Sequence, residues 1–327
     1  MNLIFFDMEG PLSIQDNAYE MMKLFPNGGR VFEVISRYDD LLALEERKGY
    51  EPGDTLALIV PFLVCHGISG EDIGGLAERA AIVNGARELI VSLKNWRVFC
   101  ISTTYEQYAS RIIQRVGIAP ENLACTRFPL DRYRNLAREE DIARIEEIEH
   151  EILAMKSEKG GESAKKRLDR FFWVELPKTS LGLALSEVKP IGGRRKVAAL
   201  EGFAQAHGQH LERAVVVGDS ITDARMLEVV DSAGGLAIAF NANEYALPFA
   251  TMGLASTNIG DLKLALDAWE EGGREAVERI VRERERLGRV ANRGNFHWLV
   301  GRSDIEEPLR IHKRIRRIVR EEAGKLG

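Results

Sequence analysis

Leu3-Ile4-Phe5-Phe6-Asp7-Met8-Glu9-Gly10-Pro11-Leu12 is the stretch on which the fold turns. Four apolar residues run straight into a carboxylate, with a second carboxylate two positions on and a Gly-Pro turn behind it. This reads as a buried parallel strand whose C-terminal end carries charge. In open α/β sheets ligands bind at that end. Taken alone, the stretch is more simply read as Asp7 capping the next helix and Glu9 as a solvated loop acid.

It does not stand alone. Far downstream, Ala214-Val215-Val216-Val217-Gly218-Asp219-Ser220-Ile221-Thr222-Asp223 repeats the design: an apolar strand, a glycine turn, then two carboxylates four residues apart. Two strands that both end in acids bring three or four carboxylates to one sheet edge, and such a cluster needs a cation to be stable at neutral pH. With no Cys or His in either stretch, oxygen-only ligation selects Mg²⁺ over zinc.

Composition bounds the rest. The chain has 327 residues, 45% hydrophobic and 29% charged, enough for one large domain and a smaller one. Its net charge of −5 argues against an electrostatic, sequence-specific nucleic-acid binder. The charge is uneven: from Arg274 onward 15 Lys/Arg face 9 Asp/Glu, a net +6 that leaves −11 for the preceding part. Cys65, Cys100 and Cys125 are widely spaced and form no C-x-x-C pair, so neither a disulfide framework nor a zinc site is indicated. No apolar run approaches the roughly 18 residues of a membrane span, and residues 1–7 lack a basic signal-like region, so the expected location is the cytoplasm.

Along the chain, residues 1–14, 84–126 and 190–262 carry an alternation of strands and helices expected of a Rossmann-like parallel sheet flanked by helices, an α/β fold. Between them, residues 15–83 read as short helices separated at Pro26-Asn27-Gly28-Gly29, Pro52-Gly53 and Gly67, a candidate helical cap domain. A second, largely helical insertion is expected over 127–189. There Ile142, Ile145, Ile148, Ile152 and Met155 recur at helical spacing, Lys159-Gly160-Gly161-Glu162-Ser163 breaks the run, and Phe171-Phe172-Trp173 offer an apolar anchor. Residues 263–327 read as basic C-terminal helices. Arg310 to Arg320, with Leu309, Ile311, Ile315 and Ile318 interleaved, is read first as a helix packing on its own domain, and otherwise as a docking surface for an acidic protein partner.

Four pieces of the chain resemble the signature of the haloacid dehalogenase-like (HAD) superfamily of Mg²⁺-dependent phosphohydrolases. They are Asp7-x-Glu9 after the first strand, Ser102 after the strand Trp96 to Ile101, Lys196 at a helix start, and Gly218-Asp219-x-x-x-Asp223. The spacing by which Lys196 lies 23 residues before Asp219, and a helical insertion after the first motif, resemble the phosphoserine-phosphatase-like branch. The resemblance implies a HAD fold, a capped site and a small phosphorylated metabolite as substrate. Asp7 would be the nucleophile, forming an aspartyl phosphate and splitting one hydrolysis into two displacements. Mg²⁺, Lys196 and the Ser102 hydroxyl would neutralise the phosphoryl oxygens. By the same resemblance the ion would be held by Asp7, by Glu9 through its main chain and by Asp219, with Asp223 orienting a bound water or Lys196. Glu9 would serve as general acid. Thr103 and Asn241 are expected to line the substrate pocket.

The sequence departs from the family at two places. Most members carry Asp where Glu9 stands, although some branches carry D-x-E, and Pro11 replaces the usual Thr and removes an amide donor from the turn. Several alternatives stay open: Ser102 as a helix cap, Lys189 as the phosphate lysine, Asn241 and Asn243 as turn residues, His66 as a cap residue, and Arg30, Arg37 and Arg47 as anion clamps or solvated side chains. The rival functions are a HAD-fold accessory or binding subunit without hydrolase activity, and a phosphotransferase.

Overall fold

β1 (Asn2–Phe6) is an interior strand of the sheet, apolar at every position after Asn2 and covered on both faces. Ile4 and Phe6 join the core on one face, Leu3 and Phe5 the core on the other, as the two-residue period of a strand requires. A computed structural model describes residues 2–45, 47–155, 161–287 and 294–324.

Between β1 and β2 (Trp96–Tyr105) the chain forms α1 (Asn17–Met22), α2 (Gly28–Leu44), α3 (Thr55–Cys65), α4 (Gly70–Arg79) and α5 (Ala86–Ser92). After α6 (Glu106–Val116) and β3 (Leu123–Thr126) come four further helices: α7 (Leu130–Leu136), α8 (Glu139–Ala154), α9 (Gly161–Arg170) and α10 (Leu183–Glu187). Sheet building resumes with α11 (Arg194–Ala206), β4 (Ala214–Gly218), α12 (Ala224–Ser232), β5 (Leu236–Phe240) and β6 (Met252–Ala255). The described chain closes with α13 (Lys263–Leu287), β7 (Asn295–Trp298) and α14 (Glu306–Gly324).

The sheet order is β3-β2-β1-β4-β5-β6-β7, parallel throughout except for the antiparallel β6/β7 pair. From β1 the strands wind one way to β3, and from β4 they wind the other way, so the switch in winding falls between β1 and β4. That crevice is where ligands bind in such sheets. The register Phe6↔Val217 and the bond from the Asp7 amide to the Val217 carbonyl (2.8 Å) set the acids that follow both strands side by side there. Helices α11 and α12 pack on the Phe5 face, and α5, α6 and α13 on the Phe6 face.

The two helical segments expected as separate units pack on each other. α8 lies against α2 and α3, and α7 and α10 against α3. α3 is buried from Leu56 to Val64, which explains why its sequence is apolar all round rather than striped. The seam is also polar. Tyr38 donates to Asp169 (2.7 Å), the Trp173 indole donates to Tyr38 (2.7 Å), and His66 bonds Glu149 (2.7 Å) while stacking on Phe25. Phe171 and Phe172 are buried, so the aromatic run does anchor its segment. The break expected at 159–163 lies partly outside the described residues.

One expectation is corrected: residues 263–327 are not helical throughout. Asn295-Phe296-His297-Trp298 form β7, whose Phe296 and Trp298 are buried as it extends the sheet beyond β6. Among the described residues no single helix is long and apolar enough to cross a membrane.

Candidate active site

Asp7 is the first residue past β1, and it is buried together with Lys196, Asp219 and Asp223. Its Oδ1 accepts from the Met8 amide (2.7 Å) and pairs with Lys196 Nζ (2.7 Å), while Oδ2 accepts no hydrogen bond among the described residues. Lys196, from the first turn of α11, also reaches Asp223 Oδ1 at 2.6 Å. Asp223 Oδ2 accepts from the Asp219 and Ser220 amides (2.9 and 3.1 Å), closing the turn after β4 around itself. Carboxylate oxygens of Asp7, Asp219 and Asp223 all lie within 4.8 Å of one another.

Turn chemistry makes this proximity attainable. Gly10 has φ +87°, and a Cβ there would stand 2.4 Å from Asp219 Oδ2, so the loop after β1 approaches Asp219 as only glycine allows. Gly218 is similarly tight, with an added Cβ 2.6 Å from Asp223.

The electrostatics follow from crowding. Burial pushes the Asp7 carboxyl well above its usual range, and the charge of Asp223 adds to this while Lys196 opposes it. Burial likewise raises Asp219, opposed by Arg316. For Lys196 burial works against the charged form, but the charges of Asp223 and Asp7 prevail and hold its ammonium above the usual lysine value. Three buried acids thus share two cations, and every available donor is oxygen. This set fits a hard divalent ion such as Mg²⁺.

Glu9 lies outside that cluster. Its Oε1 accepts from the Asn17 amide (2.8 Å) at the start of α1, and burial, then the charge of Asp16, raise its carboxyl well above the ordinary value. A carboxyl raised in this way favours its protonated form more than a solvated glutamate does. A cavity of about 200 Å³ opens between these groups and the helical layer, lined by Asp7, Glu9, Ser102, Thr103 and Asp219. Ser102 is almost wholly buried and accepts from the Thr104 amide (3.2 Å). Thr103 donates to the Ile191 carbonyl (3.0 Å), and Thr104 to Asn17 Oδ1 (2.5 Å), tying the hydroxyl run to the loops around it.

Other expected residues fall elsewhere. Asn241 is corrected from substrate pocket to turn: its side chain is spent on the Ser256 amide and carbonyl (2.9 and 2.8 Å), and its φ is +47°. Asn243 similarly caps the Tyr245 and Ala246 amides. Lys189 is exposed and lines a different cavity, beside Trp173 and Leu183. Arg30 donates to the Leu153 carbonyl, Arg47 pairs with Asp169 over the Trp173 ring, and Arg37 is exposed; none of the three lines the site.

The cations that do reach it come from α14. Arg316 pairs with Asp219 Oδ2 at 2.5 Å and donates to the Asp219 and Asn241 carbonyls (3.1 and 3.2 Å), and Arg320 lines the same cavity. Sequence reasoning missed both. The available signal was His312, Arg316 and Arg320 at intervals of four, a polar stripe on a helix whose apolar residues run along another side.

The solved structure of gene product AF1437 from Archaeoglobus fulgidus is 32% identical to this chain, with a TM-score of 0.85 over 100% of this chain and 99% of that one. A substrate-bound phosphoserine phosphatase is 19% identical, with a TM-score of 0.52 over 80% and 96% of the two chains. A phospho-aspartyl intermediate analogue of phosphoserine phosphatase gives 19% and 0.51 over 80% and 97%. At those identities the phosphatases speak for the fold. No protein-family model matches the chain, and no curated protein does. The chain therefore belongs to the family of the Archaeoglobus fulgidus gene product, and it has the phosphoserine-phosphatase-like form of the haloacid dehalogenase fold.

Proposed function

We propose that the protein is a Mg²⁺-dependent phosphomonoesterase that hydrolyses a small phosphorylated metabolite through an aspartyl phosphate on Asp7. The observation that carries this reading is the convergence of Asp7, Lys196, Asp219 and Asp223 at the switch point, with the raised Glu9 carboxyl on the adjoining loop. Bound by Asp7, Asp219 and the main chain at Glu9, the divalent ion would supply charge neutralisation for the phosphoryl oxygens.

The remaining steps belong to the protein's own residues. Asp7 Oδ2 attacks phosphorus, the bond from phosphorus to the ester oxygen breaks, and Glu9 gives its proton to the departing alkoxide. Lys196 has three N–H donors, two of them committed to Asp7 and Asp223, so the third is free for a phosphoryl oxygen. The Ser102 hydroxyl donates to a second. Glu9 then takes a proton from water as the water oxygen attacks phosphorus, and the acyl-phosphate bond breaks to release inorganic phosphate and restore both carboxyls.

The test is phosphate release from a broad phosphomonoester panel with and without Mg²⁺, together with beryllofluoride incorporation read by fluorine NMR. Mg²⁺-dependent release and a beryllofluoride adduct, both absent in Asp7→Asn, are expected. Release that survives Asp7→Asn, or none from any panel member, overturns the reading.

A further inference from the structure

Asp219 already has its counter-ion in Arg316, yet α14 sends a second guanidinium one turn further into the same cavity. Arg320 makes no ion pair among the described residues, although Asp219, then Asp16 and Glu9, attract it. The side chain is exposed and borders the cavity. There burial lowers its pKa, and the neighbouring charge of Arg316 lowers it further. Two guanidiniums on adjacent turns repel each other, and Asp219, already paired with Arg316, offsets only part of that charge, so the pair favours a further anion in the cavity.

The position of Arg320 says which part of a ligand it meets. Glu9 and Asp16 flank the start of α1, where Glu9 accepts from Asn17 and Asp16 accepts from the Tyr19 amide. In the reaction proposed above Glu9 faces the departing alcohol, whereas Ser102 and Lys196 face the phosphoryl group. Arg320 lines the same cavity and acts on Asp16 as well as on Asp219, so beyond the phosphoryl group it can reach the Asp16 side, next to Glu9, where the alcohol lies. Its helix is anchored: one turn back Arg316 is clamped on two carbonyls, and one turn before that the buried His312 accepts from the Ala242 amide (3.0 Å).

We propose that Arg320, backed by Arg316, binds an anionic group on the alcohol portion of the substrate, so that the substrate is a small phosphomonoester carrying a second anion. This rests on the phosphomonoesterase reading for which end of the ligand is which. The second anion is a carboxylate or another phosphate; both present the oxygen pair that a guanidinium fork engages with two parallel bonds. The 200 Å³ cavity limits the body joining the two groups to a few atoms.

Inert ligands test this without turnover. With Mg²⁺ present, titration calorimetry on the full chain compares methylphosphonate with phosphonoacetate, which adds a carboxylate, and with methylenebisphosphonate, which adds a second phosphoryl-like group. At least one of the two is expected to bind about tenfold more tightly than methylphosphonate, and the better one names the second anion. That ratio should fall about tenfold in Arg320→Gln and recover in part in Arg320→Lys. It should hold in Arg317→Gln, a change on the exposed side of the same helix where Arg317 faces Glu321. Equal affinities in the wild type, a ratio untouched by Arg320→Gln, or an equal loss in Arg317→Gln overturns the proposal. A chain that shows the ratio but hydrolyses nothing overturns the phosphomonoesterase reading and leaves the anion wall standing.

Discussion

Lys196 binds Asp7 and Asp223 at 2.7 and 2.6 Å from a position with no exposed surface, so its removal leaves buried carboxylates facing one another. Breaking a buried pair from one side costs about 3–5 kcal/mol, and Lys196→Met is expected to lower unfolding stability by that order in urea titrations. Millimolar Mg²⁺ should restore more stability to this variant than it adds to the wild type, because the ion would replace the missing charge. Gly10→Ala acts on the same cluster from the other side. Its φ of +87° and the 2.4 Å clash with Asp219 Oδ2 force either the loop or the carboxylate to move. The expected loss is about 1–3 kcal/mol, and calorimetric Mg²⁺ affinity should weaken about tenfold or more. Residue types and spacing made Asp7, Lys196, Asp219 and Asp223 legible in the sequence, because each sits at a fixed offset from a strand end or helix start. Arg316 and Arg320 were not legible. Their place depends on which way a distant helix faces, and surface arginines in a charged run look the same whether they face water or a carboxylate. Asn241 misled for a related reason: a residue after a strand is near the site by topology, while its side chain answered the local demand of the Ser256 amide.

α14 is held by His312, which is buried, accepts from Ala242 through Nδ1 and has no partner for Nε2 among the described residues. His297 lies beside it at a ring separation of 5.7 Å, and Arg316 is one turn away. Burial, then the charges of His297 and Arg316, push the His312 pKa down to about 3. With the folded value below the unfolded one, the unfolded chain takes up more protons between the two. Stability is therefore fully present above about pH 6.5 and is lost as pH falls towards 3. His312→Asn keeps an acceptor near the Nδ1 position but cannot titrate, so its unfolding free energy should fall less steeply from pH 6.5 to 4. Chemical denaturation at stepped pH measures this, and equal slopes would count against it. The strand β7 carries the lesson of legibility at this scale. Phe296 and Trp298 alternate with Asn295 and His297 as a half-buried strand should, yet four residues between long Arg/Glu-rich segments gave the pattern too little length to stand out. The strands β1, β2 and β4 were legible because they are apolar and carry the acids or hydroxyls of the site at their C-terminal ends.

Across the whole molecule, the two helical segments share one core and one hydrogen-bonded seam through Tyr38, Asp169 and Trp173. No short-range pattern foretold that they would pack together, since contacts 131 and 135 residues apart leave no periodic trace. Trp173→Ala removes the bond to Tyr38 and the ring beneath Arg47, and is expected to cost about 2 kcal/mol. Hydrogen exchange should then quicken in both segments, 15–83 and 127–189, while β1 and β4 keep their protection. Quickening confined to the segment that carries the mutation would mean that they open separately. Strand order has a consequence of a different kind. β1 is flanked by β2 and β4, and β4 begins only at Ala214. At roughly 5–20 residues per second, a ribosome needs on the order of 10–40 s between making the first strand and making its second neighbour. Through that interval one side of the most apolar strand in the nascent chain has no partner, so expression of this protein is expected to be more sensitive to holdase chaperones and to translation speed than its finished stability would suggest.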